Sequence, residues 1–172
     1  MLKKTDLTVM EPVKIEFTKK GKLKRIDKEC IKEFKERPCN KNIMNKQGVY
    51  VFVLKAGRGF KPWYVGMASK SFGQEIFTTH KTTLYNDLLF GGKKGTPWIF
   101  FLTTPAGKNK ISKPVIASIE KEMIQYALAQ NPLLLNSKGT KGKSWGIKGL
   151  IRGGSGKKSE STKQFGKMMG LL

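Results

Sequence analysis

Glu120 stands where a carboxylate is expensive. With Val115 set at zero and about 100° per residue, Val115, Tyr126, Ile119, Met123, Ile116 and Ala127 fall between about 0° and 120°, with Ile124 near 180°. Glu120 falls near about 140°, inside that apolar arc, whereas Lys121, Gln125 and Ser118 fall outside it and Glu122 sits at its edge. A carboxylate on a core-facing stripe is costly unless it is paired or holds a metal ion. The single histidine, His80, falls by the same arithmetic between Ile76 and Leu84, on the apolar side of a stretch that reads as helix from about 71 to 90. A lone histidine there is ordinarily a satisfied core residue, so its interest lies in what it meets.

Two phenols supply that interest. Residues 48–66 read as a β-hairpin around Ala56-Gly-Arg-Gly59. With the turn centred on Gly57, Tyr50 and Tyr64 lie opposite each other and Gly48 opposite Gly66. Facing pairs share a side of the sheet, so both phenols are expected on one surface. The plain alternative is a cross-strand aromatic pair, and a slip of one residue would separate the two rings.

These residues need a frame. Val13–Phe17 alternates as a short strand after a patternless arm over residues 1–12, and Lys19–Lys22 reads as a turn. Asp27 is placed to cap a helix through Glu36, with Ile31 and Phe34 inward, Pro38 as its stop and 37–47 as polar connection. After the hairpin and the 71–90 helix, Gly91–Gly95 is a basic loop and Pro97–Thr103 a buried strand. Ser112 then opens a helix to about Gln130, halted by Asn131-Pro132. Trp145–Ile151 reads as a strand, Gly153–Gly156 as a hinge, and Ser159 onward as a terminal helix packing Phe165, Met169 and Leu172. The expected class is α/β of the α+β kind: a small three-stranded antiparallel central sheet flanked by helices in β-β-α-β-α order. The expected domains are an N-terminal extension over 1–45, a catalytic-type domain over 46–137, and a basic C-terminal extension over 138–172 that packs on it.

Charge narrows the partners. The chain has 172 residues, with 34 Lys and Arg against 12 Asp and Glu, for a net +22. A polyanion is the natural partner, because each basic group set on a phosphate releases a condensed counterion. No basic amphipathic helix with a strong apolar face stands out, which argues against a membrane surface. No apolar run approaches a membrane span and the N-terminus lacks a signal-peptide pattern, so a soluble, cytoplasmic protein is expected. Cys30 and Cys39 form no CxxC, which argues against structural zinc and against a disulfide scaffold. Lys93, Lys94, Lys138, Lys141, Lys143, Arg152, Lys157 and Lys158 are the candidates for nucleic-acid backbone contact. The tryptophans Trp63, Trp98 and Trp145 read as core rather than as stacking platforms.

Taken together, the residues resemble the GIY-YIG nuclease superfamily. Its two name strands are matched by Gly48-Val-Tyr50 and Tyr64-Val-Gly66, its glutamate helix by Ile119-Glu-Lys-Glu-Met-Ile124, and its closing asparagine by Leu133-Leu-Leu-Asn136. The resemblance covers roughly half of the chain. It implies that Tyr50 activates the attacking water, that Tyr64 supports the phosphate or relays a proton, and that His80 assists Tyr50. It further implies one Mg²⁺ or Mn²⁺ on Glu120, an ordering role for Asn136, and slim backbone beside the substrate at Gly48 and Gly66. One departure stands out. The family's phosphate-clamping arginine has no counterpart in Met67–His80, where Gln74 or Glu75 occupies its place. Lys70, Gln74 and Lys81 are the candidate substitutes, without an arginine's bidentate fork.

The resulting expectation is a metal-dependent endonuclease that hydrolyses DNA, with a dimer as one way to cut both strands. The alternative is a non-catalytic nucleic-acid-binding module on the same frame, and a basic RNA-binding protein is supported by charge alone.

Overall fold

The computed structural model describes residues 7–104, 110–141 and 157–170. They fall into two compact units, Met1–Thr140 and Lys141–Leu172. Along the first unit run β1 (Thr8–Val9), β2 (Val13–Lys14), β3 (Thr18–Lys20), β4 (Leu23–Arg25), α1 (Lys28–Glu36), α2 (Pro38–Met44), β5 (Gly48–Ala56) and β6 (Gly59–Ala68). There follow α3 (Phe72–Glu75), α4 (Thr79–Phe90), β7 (Thr96–Thr103) and α5 (Lys113–Gln130).

The fold is α+β on an antiparallel sheet ordered β1-β7-β5-β6, with β2 also paired to β7. The three long strands are those read from the sequence, but the sheet has five. Thr8–Val9, inside the supposed arm, and Val13–Lys14, the start of the strand read over Val13–Phe17, both pair with the outer side of β7. A two-residue strand such as Thr8–Val9 carries too little alternation to show as a period. The basic segment after them closes as a separate β3–β4 hairpin around Gly21, which takes φ 61°.

Burial follows strand position. β5 lies between two partners, so Val49, Tyr50, Phe52, Val53 and Leu54 are all buried. On one face Tyr50, Phe52, Leu54, Ile99 and Phe101 join Phe34 of α1 and Tyr85, Leu88 and Leu89 of α4 in the larger core. On the other, Val49 and Val65 meet Ile116, Ile124 and Ala127 of α5. Residues 15–44 supply Ile15, Ile26, Cys30, Phe34, Ile43 and Met44 to the first cluster, so the N-terminal segment is part of the domain's core.

Asp27 caps α1 as expected, its carboxylate accepting from the N–H groups of Glu29 and Cys30 at 3.1 and 2.9 Å. The Cys30 and Glu29 N–H groups, with the Thr18 hydroxyl, hold that carboxyl below its ordinary value. Residues 37–47 are not simple connection. Pro38 begins α2 instead of only ending α1, its fixed φ suiting a first helical position. The 71–90 stretch is two helices, because Thr78 adopts extended backbone (φ −62°, ψ 156°) between them. The break buries both Phe72 and Ile76. In the second unit α6 (Glu160–Met168) is capped by Ser159, whose hydroxyl accepts from the Thr162 N–H. Phe165 and Met169 are exposed, contrary to the packing expected of them. The proposed strand 145–151, the hinge 153–156, Lys143, Arg152 and Leu172 lie outside the described residues.

Candidate active site

Hairpin register decides where the phenols go. The tip is tighter than expected: Ala56 pairs with Gly59 around Gly57-Arg58, and Gly57 takes φ 59°. Carried on without interruption, that pairing would set Tyr64 opposite Val51, on the α5 face. A bulge between the Phe52 and Val53 pairings absorbs one residue of β6, so that Phe52 pairs with Tyr64 and Tyr50 with Gly66. The expected pairs Tyr50–Tyr64 and Gly48–Gly66 are therefore replaced by Tyr50–Gly66 and Gly48–Ala68. The error is two residues, a whole period, so both phenols still share one face, with ring centroids 6.3 Å apart.

Internal contacts require both glycines. A Cβ on Gly66 would collide with the phenol end of Tyr50, which lies across the β6 backbone. At Gly48, φ is 149° and a Cβ would run into the Leu102 carbonyl on β7.

Beside the edge strand β6 opens a cleft of about 470 Å³ between α4, α5 and the segment after α5. Tyr64, His80, Glu120 and Asn136 line it, with Lys121 and Lys138 among the same walls. Four of the sequence-derived site residues thus come from four different elements to one place. His80 is exposed in the first turn of α4, not turned into the apolar core. Glu120 is half-buried, as its stripe position requires. The buried side of α5 is centred on Ile116, Ile124 and Ala127, while Val115 and Tyr126, expected inward, are exposed.

Asn136 is wholly committed to backbone. Its side-chain oxygen accepts from the Val65 N–H at 2.9 Å and its amide donates to the Val65 carbonyl at 2.7 Å, imitating a further strand. Leu135 N–H donates to Trp63 O at 2.8 Å and the Asn131 amide to Pro62 O at 2.7 Å. Residues 131–136 thereby satisfy an edge that would otherwise present free ladder groups.

Tyr50 does not reach the cleft. It is fully buried, and among the described residues its hydroxyl and that of Tyr85 on α4 face each other without a hydrogen bond of good geometry. Burial drives the Tyr50 phenol far above its ordinary value, and the neighbouring Tyr85 and Tyr64 add to the effect. Tyr85 stacks on Phe52 at 4.0 Å and meets Tyr64 edge-on at 6.1 Å, with its phenol likewise raised by burial. Tyr64 faces the cleft, and its phenol is raised first by burial and then by the Glu120 and Glu75 carboxylates. Burial raises Glu120 as well, opposed by the Lys81 ammonium and the Met67 N–H.

Lys81 is the cation that acts on Glu120. It donates to the Glu75 carbonyl and carboxylate at 2.9 and 3.0 Å and lies 5.5 Å from the Tyr50 ring centre. Its side chain is 13 % exposed, so it acts as an internal charge rather than a free phosphate clamp. Lys70 and Gln74 are exposed outside the cleft walls. Lys93 and Lys94 are exposed on the α4–β7 loop, where the Lys93 ammonium sits 5.7 Å from the Trp63 ring. Lys138, Lys141 and Lys157 are exposed, and Lys158 is half-buried.

Sequence reading missed Tyr85, the Lys81–Glu75 pair and Asn131. Tyr85 had a signal, since it lies three and four residues before the buried Leu88 and Leu89. Asn131 reads as a helix stop, and nothing local announces that it reaches β6.

Glu120 is the one carboxylate in the cleft lining. Among the described residues Glu120 has no ion-pair partner, and no three His, Cys, Asp or Glu side chains gather. One carboxylate with room for waters suits Mg²⁺, which keeps much of its hydration shell. No helix among the described residues is long and apolar enough to cross a membrane. Comparison with known proteins found no matching family model, no similar curated protein and no similar solved structure.

Proposed function

We propose that the chain is a metal-dependent nuclease of GIY-YIG type that hydrolyses DNA phosphodiester bonds in this cleft. The observation that carries the reading is the meeting of Tyr64, His80 and Glu120 in one cleft, with Asn136 holding its edge strand in place. Phosphodiester hydrolysis needs an activated water, a counter-charge for the phosphate and a proton for the leaving oxygen. Mg²⁺ or Mn²⁺ bound through Glu120 would neutralise the charge that develops on the phosphate oxygens.

The proton roles follow from environment. With its phenol raised, Tyr64 stays protonated at neutral pH and is a hydrogen-bond donor toward a phosphate oxygen. An imidazole is the side chain suited to accept a proton near neutral pH, and His80 is the exposed one on this cleft. Tyr50, sealed beneath, buttresses Tyr64 instead of activating water. Lys81 takes the place of an arginine only at a distance, by favouring the ionised form of Glu120.

A specific observation also supports a second reading, a nucleic-acid-binding module that does not cut. The phenol expected to activate water is buried, and the nearby cation is already tied to Glu75. Supercoiled plasmid incubated with Mg²⁺, with Mn²⁺ and with EDTA separates the two. A nuclease yields relaxed or linear product that needs metal and disappears in Glu120→Ala. A binder retards wild type and variant lanes alike and leaves the plasmid supercoiled.

A further inference from the structure

The α5 face of the sheet is only partly covered. Helix α5 packs at the Val49, Val65 and Leu102 end. Toward the hairpin tip the same face carries Lys55, which pairs with Phe60 on β6 and Thr96 on β7. One period further along, Val53 pairs with Trp98, and then Val51 with Phe100. Phe60 meets Trp98 and Phe100 edge-on, at 5.9 and 5.1 Å between ring centres. The Lys55 ammonium lies 5.2 Å from the Phe60 ring and 4.9 Å from the Trp98 ring.

These rings are not core. Phe60 is 38 % exposed, and Trp98 and Phe100 are half-buried. The Trp98 indole is held in place by donating to the Thr96 hydroxyl at 3.0 Å. No Asp or Glu occurs anywhere in β5, β6 or β7, and the exposed Arg58 sits at the tip. An exposed aromatic group beside an ammonium that has no ion-pair partner among the described residues is complementary to a chain that offers flat rings and phosphates together. Single-stranded nucleic acid is that chain: every base has a face to stack, and every linkage has a charge to place near Lys55 and Arg58. Duplex DNA hides its base faces and would use only the cations.

We propose that Phe60, Trp98 and Phe100, with Lys55 and Arg58, form a stacking platform for single-stranded nucleic acid, separate from the cleft. It does not depend on cleavage, so the test is run in EDTA. Binding of fluorescein-labelled dT15 and of a labelled 15-base-pair duplex is followed by anisotropy, with circular dichroism melting to confirm folding. Phe60→Leu keeps an apolar side chain without a ring and is expected to weaken dT15 binding about tenfold while changing duplex affinity little. Phe60→Trp is expected to retain dT15 affinity. Lys55→Gln is expected to lower the salt slope for dT15 by about 0.7. Unchanged dT15 affinity in Phe60→Leu overturns the platform, and so does an equal loss on duplex. Either result leaves the plasmid cleavage assay, and the reading it tests, untouched.

Discussion

At the residue level the site couples groups that the chain keeps far apart. Tyr50 and Gly66 are one unit, the phenol lying where a methyl group on residue 66 would go. Gly66→Ala is expected to cost about 2–3 kcal/mol, as overpacking of a fixed core does. A Tyr50→Phe background should relieve little of that loss in urea unfolding, because the ring carbon Cζ that phenylalanine keeps crowds the new methyl as closely as the hydroxyl oxygen does. Glu120 makes a second test. Its raised carboxyl favours the neutral form in the fold, so its favourable contribution is complete below the ordinary carboxyl range and is lost as pH rises through the folded value. Glu120→Gln should therefore melt higher than wild type at pH 7, on the order of 2 °C, and the two should converge below about pH 4. Adding Mg²⁺ should raise the wild-type melting temperature and leave the variant unmoved. The sequence disclosed Glu120 because a charge inside an apolar stripe is visible in helical arithmetic. It did not disclose that Tyr50 is sealed, since burial of one phenol over the other depends on Tyr85 and Phe72 arriving from distant elements.

At the element level, strong periodicity was a sound guide and short segments were not. Helices α1 and α5 and strands β5, β6 and β7 were legible because each repeats its apolar pattern long enough to count. The α2 helix was hidden by its polar composition and by a proline that stops one helix while starting the next. The gap between α3 and α4 was hidden because Ile76, Phe77 and Leu84 continue an apolar pattern straight through it. The clamp of residues 131–136 on β6 was not legible at all, since asparagine after a helix ordinarily means only that the helix ends. Asn136→Ala is expected to cost about 2 kcal/mol, for two hydrogen bonds lost to the Val65 peptide groups. Urea denaturation would measure it, and light scattering should show more self-association as the β6 edge comes free.

At the level of the whole chain, the charge excess and the apolar content were read directly, whereas the extent of the core was not. Residues 1–45 were read as an extension whose helix turns Ile31 and Phe34 inward; Ile15, Ile26 and Phe34 are among the core's most deeply buried side chains. Their contribution is legible only once β3–β4 and α1 are set against α4, as in the paired hydrogen bonds between Ile26 and the Asn86 amide at 2.8 and 3.0 Å. A double change, Lys157→Gln with Lys158→Gln, is expected to lower the slope of log affinity for duplex DNA against log salt by about two, with both lysines set on phosphates. A titration across salt concentrations at fixed pH reads this directly, and an unchanged slope would remove both residues from the contact surface.

The hairpin's bulge has a consequence for how this chain can vary in length. Because the odd residue is absorbed between the tip and Tyr64, the site's parity is set below the bulge and not at the turn. A Cβ added at Gly57 would meet nothing within 4 Å, and both residues of the turn are exposed. Descendants of this sequence are thus free to gain residues between Gly57 and Arg58, or to have an epitope spliced there, while Tyr64 keeps its side of the sheet. One residue gained or lost between Trp63 and Gly66 would have no such refuge.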